Sequence, residues 1–183
     1  QMLAGMVAAL KMGVAPPHDL RFLAVGGAAV PARLLEESLA LGLPVYEGYG
    51  LSECASVVTV NRPSEFRAGT VGKPLPHVRI EIARDGEIHV SGSTCIAYLD
   101  GAPMKEPLAT GDIGYVDDAG YLRITGRKKN MFITSFGRNV TPEWIEQELT
   151  AQPAIAQVVV FGEARPFAVA IIAPSAGATH SSL

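Results

Sequence analysis

The chain has 183 residues, enough for one domain of good size or two small ones. Apolar residues make up 48% and charged residues 18%, ample for a packed core and too apolar for a disordered chain. The formal net charge is −3 and the longest positive run is Arg127-Lys128-Lys129, which argues against a nucleic-acid surface.

Cys54 and Cys95 are too few for a disulfide framework at this size and belong to no metal-ligand spacing. They read as free thiols of a reducing compartment, so a cytoplasmic location is expected. The N-terminus has no charged, apolar and cleavage regions of a signal peptide. Residues 1–12 are apolar but too short to span a bilayer, and their Ala, Leu and Met content favours a buried helix. Opening on a core helix without cap or leader also points to a piece of something longer.

Gly13 and Pro16-Pro17 stop that helix. Leu20 to Val25 is a short apolar run, expected as a buried strand. Pro31 opens a helix through Leu41, since proline suits the first turn, where its missing N–H has no intrahelical partner. Gly42 ends it, and a strand begins over Pro44 to Tyr46. The result is a strand–helix–strand unit of the α/β type. From about residue 60 short strands follow at close spacing: Val78 to Ile82, Glu87 to Val90, Ile113 to Val116 and Tyr121 to Ile124. Asp85-Gly86 and Asp118-Ala119-Gly120 separate them in pairs as hairpin turns, so this section reads as antiparallel β, a small distorted barrel. Beyond Arg127-Lys128-Lys129 comes α+β: a strand Met131 to Thr134, a helix Pro142 to Ala151 capped by Thr141, and strands Ile155 to Phe161 and Phe167 to Ile172. The tail from Pro174 is rich in Ser, Ala and Gly and is expected to fray.

Four short motifs carry candidate chemistry. Gly48-Tyr49-Gly50-Leu51-Ser52-Glu53 follows a strand end, where ligands collect in α/β sheets. The ring suits a base, the hydroxyl a phosphate and the carboxylate Mg²⁺; a plain loop is the alternative. Thr110-Gly111-Asp112, placed at the start of a strand, offers a carboxylate to ribose hydroxyls or else a self-satisfied turn. Gly126-Arg127-Lys128-Lys129 at a domain junction suits ribose or phosphate oxygens, or a solvated linker. Gly26-Gly27-Ala28 permits close backbone approach to a ligand or simply a tight turn. No dinucleotide or phosphate-loop glycine pattern is present. His18, His77, His89 and His180 are scattered, and Ser52 lacks the setting of a nucleophile elbow.

In this order the four motifs, with Gly69-Thr70-Val71-Gly72-Lys73-Pro74 and Gly86-Glu87-Ile88-His89-Val90-Ser91-Gly92 between them, resemble the adenylate-forming superfamily. That group includes acyl-CoA synthetases, peptide-synthetase adenylation domains and luciferases. The resemblance covers residues from about 20 to 173. It implies the end of a large α/β subdomain over 1–62, a β-barrel-like subdomain over 63–127 and a truncated α+β lid over 128–183. It also implies ATP, Mg²⁺ and coenzyme A as ligands, and a carboxylic acid activated as acyl-AMP. By the same likeness Gly27 and Ala28 line the adenine and acyl pocket and Tyr49 stacks on adenine, next to Gly50. Ser52 holds a phosphate oxygen and Glu53 ligates Mg²⁺. Asp112 and Arg127 take the ribose, Ile124 packs on the base, Lys129 is the hinge, and Gly137 borders the pantetheine tunnel.

The departures are as informative. The family's phosphate loop precedes residue 1 and its adenylation lysine follows Leu183, so this polypeptide by itself is not expected to activate an acid. Ala109 stands where a basic residue or histidine often precedes Thr-Gly-Asp, Asn130 stands where an acid often follows the lysine, and Leu99 to Ala109 is short. Phe136 to Val140 with Thr141-Pro142-Glu143-Trp144 looks closest to fatty acyl-CoA synthetases. A short nucleotide- or partner-binding protein without catalysis, and one chain of a split synthetase, are the other readings.

Overall fold

The structure, a computed structural model, describes residues 2–16, 18–28, 30–92, 94–152 and 154–175. Pro17, His180 and the tail beyond 175 lie outside the described residues. The first unit contains helix α1 (Met2–Lys11), strand β1 (Leu23–Val25), helix α2 (Ala32–Ala40) and strand β2 (Val45–Tyr49). β1 and β2 pair in parallel, Leu23 opposite Val45 and Val25 opposite Glu47, with α2 as the crossover. β1 is shorter than the run Leu20 to Val25 suggests. Leu20 packs into the helix-side core instead, and the Phe22 ring stacks on Tyr46 at 4.8 Å. That core is Leu3, Val7, Leu35, Leu43 and Val45.

β2 runs on to Tyr49 and then takes two antiparallel additions, β3 (Thr59–Val60) and β4 (Lys73–Pro74). Sequence periodicity cannot register strands of two residues. The antiparallel section is an open sheet of β5 (Arg79–Ile82), β6 (Glu87–Ser91), β7 (Leu108–Val116) and β8 (Leu122–Arg127) in sequential order. Two irregularities bend it, between Glu87 and His89 and between Ile113 and Gly114. A second core of Cys54, Val58, Val78, Ile88, Val90, Leu108 and Leu122 ties this sheet to the segment after β2.

The last unit has β9 (Phe132–Ile133), β10 (Asn139–Val140), helix α3 (Pro142–Thr150), β11 (Ile155–Phe161) and β12 (Val169–Pro174). β9 and β10 form one antiparallel ribbon, β11 and β12 another. Thr141 sits at the expected cap position, but its side chain makes no capping hydrogen bond. α3 holds the β11–β12 ribbon through Glu146, whose Oε1 accepts the Val160 N–H at 2.8 Å. The fold class is thus α/β, then antiparallel β, then a small α+β unit.

Leu122 is fully buried between the sheet and the segment after β2. Leu122→Ala is expected to lower unfolding free energy by about 3 kcal/mol, read as a drop in the urea midpoint at unchanged slope.

Candidate functional site

β2, β7 and β8 converge on a cavity of about 400 Å³, which α3 closes from the lid side. Gly27, Ala28, Tyr49, Gly50, Asp112, Ile124 and Arg127, drawn from four separate stretches of sequence, all line it. Strand alternation puts Val45, Glu47 and Tyr49 on one face of β2; Val45 packs into the helix-side core, while Glu47 and Tyr49 farther along line the cavity.

Asp112 is the node. It is 3% exposed, and two partners from other strands hold its carboxylate. The Tyr49 hydroxyl donates to Oδ2 at 2.6 Å, and the Arg127 guanidinium forms an ion pair with Oδ1, Nε lying 2.6 Å away. Burial first, and then the bond to Asp112, push the Tyr49 phenol above its ordinary range. The Asp112 N–H donates to Thr110 Oγ1, whose hydroxyl donates to the Ile88 carbonyl at 2.8 Å.

Thr110-Gly111-Asp112 does not open a strand, as the sequence suggests; it lies inside β7, beside the irregularity at Ile113. Gly111, at φ +74°, makes the break a left-handed residue. Its N–H donates to Glu87 Oε1 at 3.0 Å, and Lys128 reaches Glu87 Oε2 and Asp85 at 2.7 Å each. These carboxylates, Asp85 foremost, hold the Lys128 ammonium above the ordinary lysine range. Gly126 and Arg127 likewise belong to β8 rather than to a linker. The pairing of Asp112 with Arg127 across β7 and β8 therefore builds the ion pair into the sheet.

Four sequence-derived residues stand apart from the cavity lining. Ser52 is exposed and Glu53 half-buried in a 3₁₀ turn, Ser52–Cys54, just beyond Gly50. Lys129 is exposed in the 3₁₀ turn Lys128–Asn130. Gly137 is exposed in the turn joining β9 to β10, at φ +73°.

Sequence reasoning missed Glu47, Thr70, Glu143 and Gln147, which also line the cavity. Glu47 had a signal: a carboxylate at an inward position of a buried strand is an anomaly. It is 8% exposed, and burial raises its carboxyl to about 7, partly offset by a hydrogen bond from the Val30 backbone. Glu143 and Gln147 sit one helical turn apart on α3 and had no signal, because only the lid's placement brings them here.

A buried carboxylate thus gathers a phenol and a guanidinium beside glycine-lined walls. Family models for the AMP-binding enzyme and for the AMP-binding enzyme C-terminal domain match residues 1–97 and 129–183, and the chain belongs to the AMP-binding enzyme family. It is 41% identical over 174 residues to the long-chain-fatty-acid–CoA ligase FadD15 of Mycobacterium bovis, covering 88% of this chain and 28% of that relative. Its fold is similar to o-succinylbenzoate CoA synthetase of Bacillus subtilis in complex with the acyl-adenylate intermediate, at TM-score 0.81 and 30% identity, over 93% of this chain and 40% of that one. The same enzyme with ATP and magnesium ion matches at TM-score 0.77 and 32% identity, over 91% and 39%. The chain therefore spans well under half the length of these relatives.

The Glu47 carboxyl binds its proton more tightly folded than unfolded. Folding stability is therefore expected to fall as pH rises from about 4.5 through about 7, where the folded carboxyl ionises. Glu47→Gln should flatten that part of the profile and raise the melting temperature at pH 8, as measured by thermal scans across pH.

Proposed function

We propose that this chain is the nucleotide-seating part of an AMP-forming acid–thiol ligase, which activates a carboxylic acid with ATP as acyl-AMP and passes the acyl group to coenzyme A. The observation that carries the reading is the buried Asp112 carboxylate, aligned by Tyr49 and Arg127 at the wall of a cavity of nucleotide size. Adenine lies against the Tyr49 ring, with Gly26-Gly27-Ala28 and Ile124 as the other walls. Each Asp112 oxygen keeps a further lone pair for a ribose hydroxyl. Fixing the ribose aligns the α-phosphate with the attacking carboxylate.

The phosphates then extend past Gly50 toward Ser52 and Glu53. Among the described residues no group of three or more His, Cys, Asp or Glu forms a metal cage. The lone Glu53 carboxylate nevertheless fits Mg²⁺, which commonly takes one or two carboxylates together with phosphate oxygens and water. Bound there, the ion would neutralise phosphate charge.

Residues 1–62, 63–127 and 128–183 are the end of the large subdomain, the barrel-like subdomain and the lid. Lys129 is the hinge, and the Gly137 turn lies along the coenzyme A path. The two free cysteines support a cytoplasmic location; no helix among the described residues is long and apolar enough to cross a membrane. A fatty acid is the favoured substrate class, supported by the 41% identity to a long-chain-fatty-acid–CoA ligase.

Arg127 is the sole cation lining the cavity among the described residues, too little positive charge for a triphosphate in reaction. The 183-residue chain is thus a binder of AMP rather than a complete catalyst. Calorimetric titration should show AMP binding to the chain, weakened about tenfold or more by Asp112→Asn, a change that keeps the shape and removes the charge. Equal affinities would remove the ribose role. Acid-dependent ATP–pyrophosphate exchange by this chain with Mg²⁺ is expected to be absent across a panel of acyl lengths; clear exchange would make it a catalyst in its own right.

A further inference from the structure

The lid contributes a carboxylate to the cavity that the nucleotide reading leaves unused. Glu143 and Gln147 of α3 line the same cavity as Tyr49 and Asp112. Glu143 Oε1 accepts from Asn130 Nδ2 at 2.5 Å, while Oε2 is buried and has no hydrogen-bond partner. An unpaired buried carboxylate oxygen is costly, and a donor hydroxyl would relieve it. The Asp112 oxygens, by contrast, already hold Tyr49 and Arg127.

Gly126 explains how the lid carboxylate reaches this place. A Cβ at Gly126 would collide with the Thr141 methyl and come within 2.7 Å of Glu143 Oε2. The glycine next to Arg127 is therefore where α3 docks on β8, and it sets Glu143 against the Arg127 end of the cavity. Gly126 itself lines the cavity, so Oε2 lies against the cavity wall. Asn130 fits this arrangement, since its amide donates to Glu143 where an acid would repel it.

We propose that Glu143 is a lid-borne ribose contact: its free carboxylate oxygen accepts a hydrogen bond from a ribose hydroxyl of the bound nucleotide, so that nucleotide occupancy and lid position are coupled through Asn130 at the hinge. The inference rests on the nucleotide reading of the cavity. It adds a third polar group to the ribose end and places it on the mobile unit. Trp144, the single tryptophan, follows Glu143 on α3 and is 57% exposed, which makes it a reporter of lid position.

The test is titration of the 183-residue chain with AMP, 2′-deoxy-AMP and 3′-deoxy-AMP, followed by calorimetry and by Trp144 fluorescence. Wild type, Glu143→Ala, Glu143→Gln and Asp112→Asn are compared, each first checked by circular dichroism and a cooperative melt. Glu143→Ala is expected to weaken AMP about tenfold and to abolish the AMP-induced change in Trp144 emission. It should weaken one deoxy analogue, the one lacking the contacted hydroxyl, much less. Glu143→Gln, which keeps the shape and an acceptor, should lose about threefold and carries the test if the alanine variant does not fold. Unchanged AMP affinity in both Glu143 variants, with Asp112→Asn weakened, would overturn the lid contact and leave the nucleotide reading standing. An equal loss for AMP and both deoxy analogues would also overturn it. No AMP binding by the wild-type chain would overturn both.

Discussion

Removing the Asp112 carboxylate from water is costly unless donors replace the lost hydration, and the donors here come from two other strands. Tyr49 stands at the end of β2 in the α/β unit and Arg127 at the end of β8 in the antiparallel sheet. One buried charge therefore fixes how the two units meet, and the cavity lies along their seam. The cost of a misplaced partner is high, since a charge left unpaired at 3% exposure has no solvent to fall back on. The same demand shapes the backbone. β7 breaks at Gly111 to present Asp112, and Glu87, itself anchored by Lys128, takes up the freed Gly111 N–H.

The body and the lid are held together by different kinds of contact. The second core runs without interruption from Cys54 and Val58 into Ile88, Val90 and Leu122, so separating β2 from the sheet would expose fully buried side chains. Among the described residues the lid has no comparable interior. Val160 is the one buried residue of β11, and every residue of β12 is exposed. Its links to the body include a close packing of Thr141 and Glu143 on Gly126 and the ion pairs of Lys128 with Glu87 and Asp85. Few buried apolar contacts mean a low free energy of local rearrangement.

Much of this was legible in the residues. Short-range rules located α1, α2 and α3, the Asp85-Gly86 turn and the span of β11, because these depend on periodicity, capping positions and turn chemistry that act within a few residues. The ordered motifs, from Gly26-Gly27-Ala28 to Gly126-Arg127-Lys128-Lys129, pointed to the adenylate-forming family. Seven of the site residues that this resemblance implies, Gly27, Ala28, Tyr49, Gly50, Asp112, Ile124 and Arg127, share the cavity wall.

What the residues by themselves could not reveal follows from contacts made across long stretches of chain. Tyr49 and Asp112 are 63 positions apart, and nothing local marks a phenol as the partner of a distant carboxylate. β3 and β4 are too short for any period and exist because β2 offers an edge to β3 and β3 offers one to β4. By sequence Thr110-Gly111-Asp112 reads as the start of a strand, whereas the tertiary ladder carries β7 straight through the bulge. Glu143 reads as an ordinary first-turn acid of a helix. Only the docking of α3 on Gly126 turns it into a cavity residue, because a carboxylate's role depends on what surrounds it and not on the residues beside it in sequence.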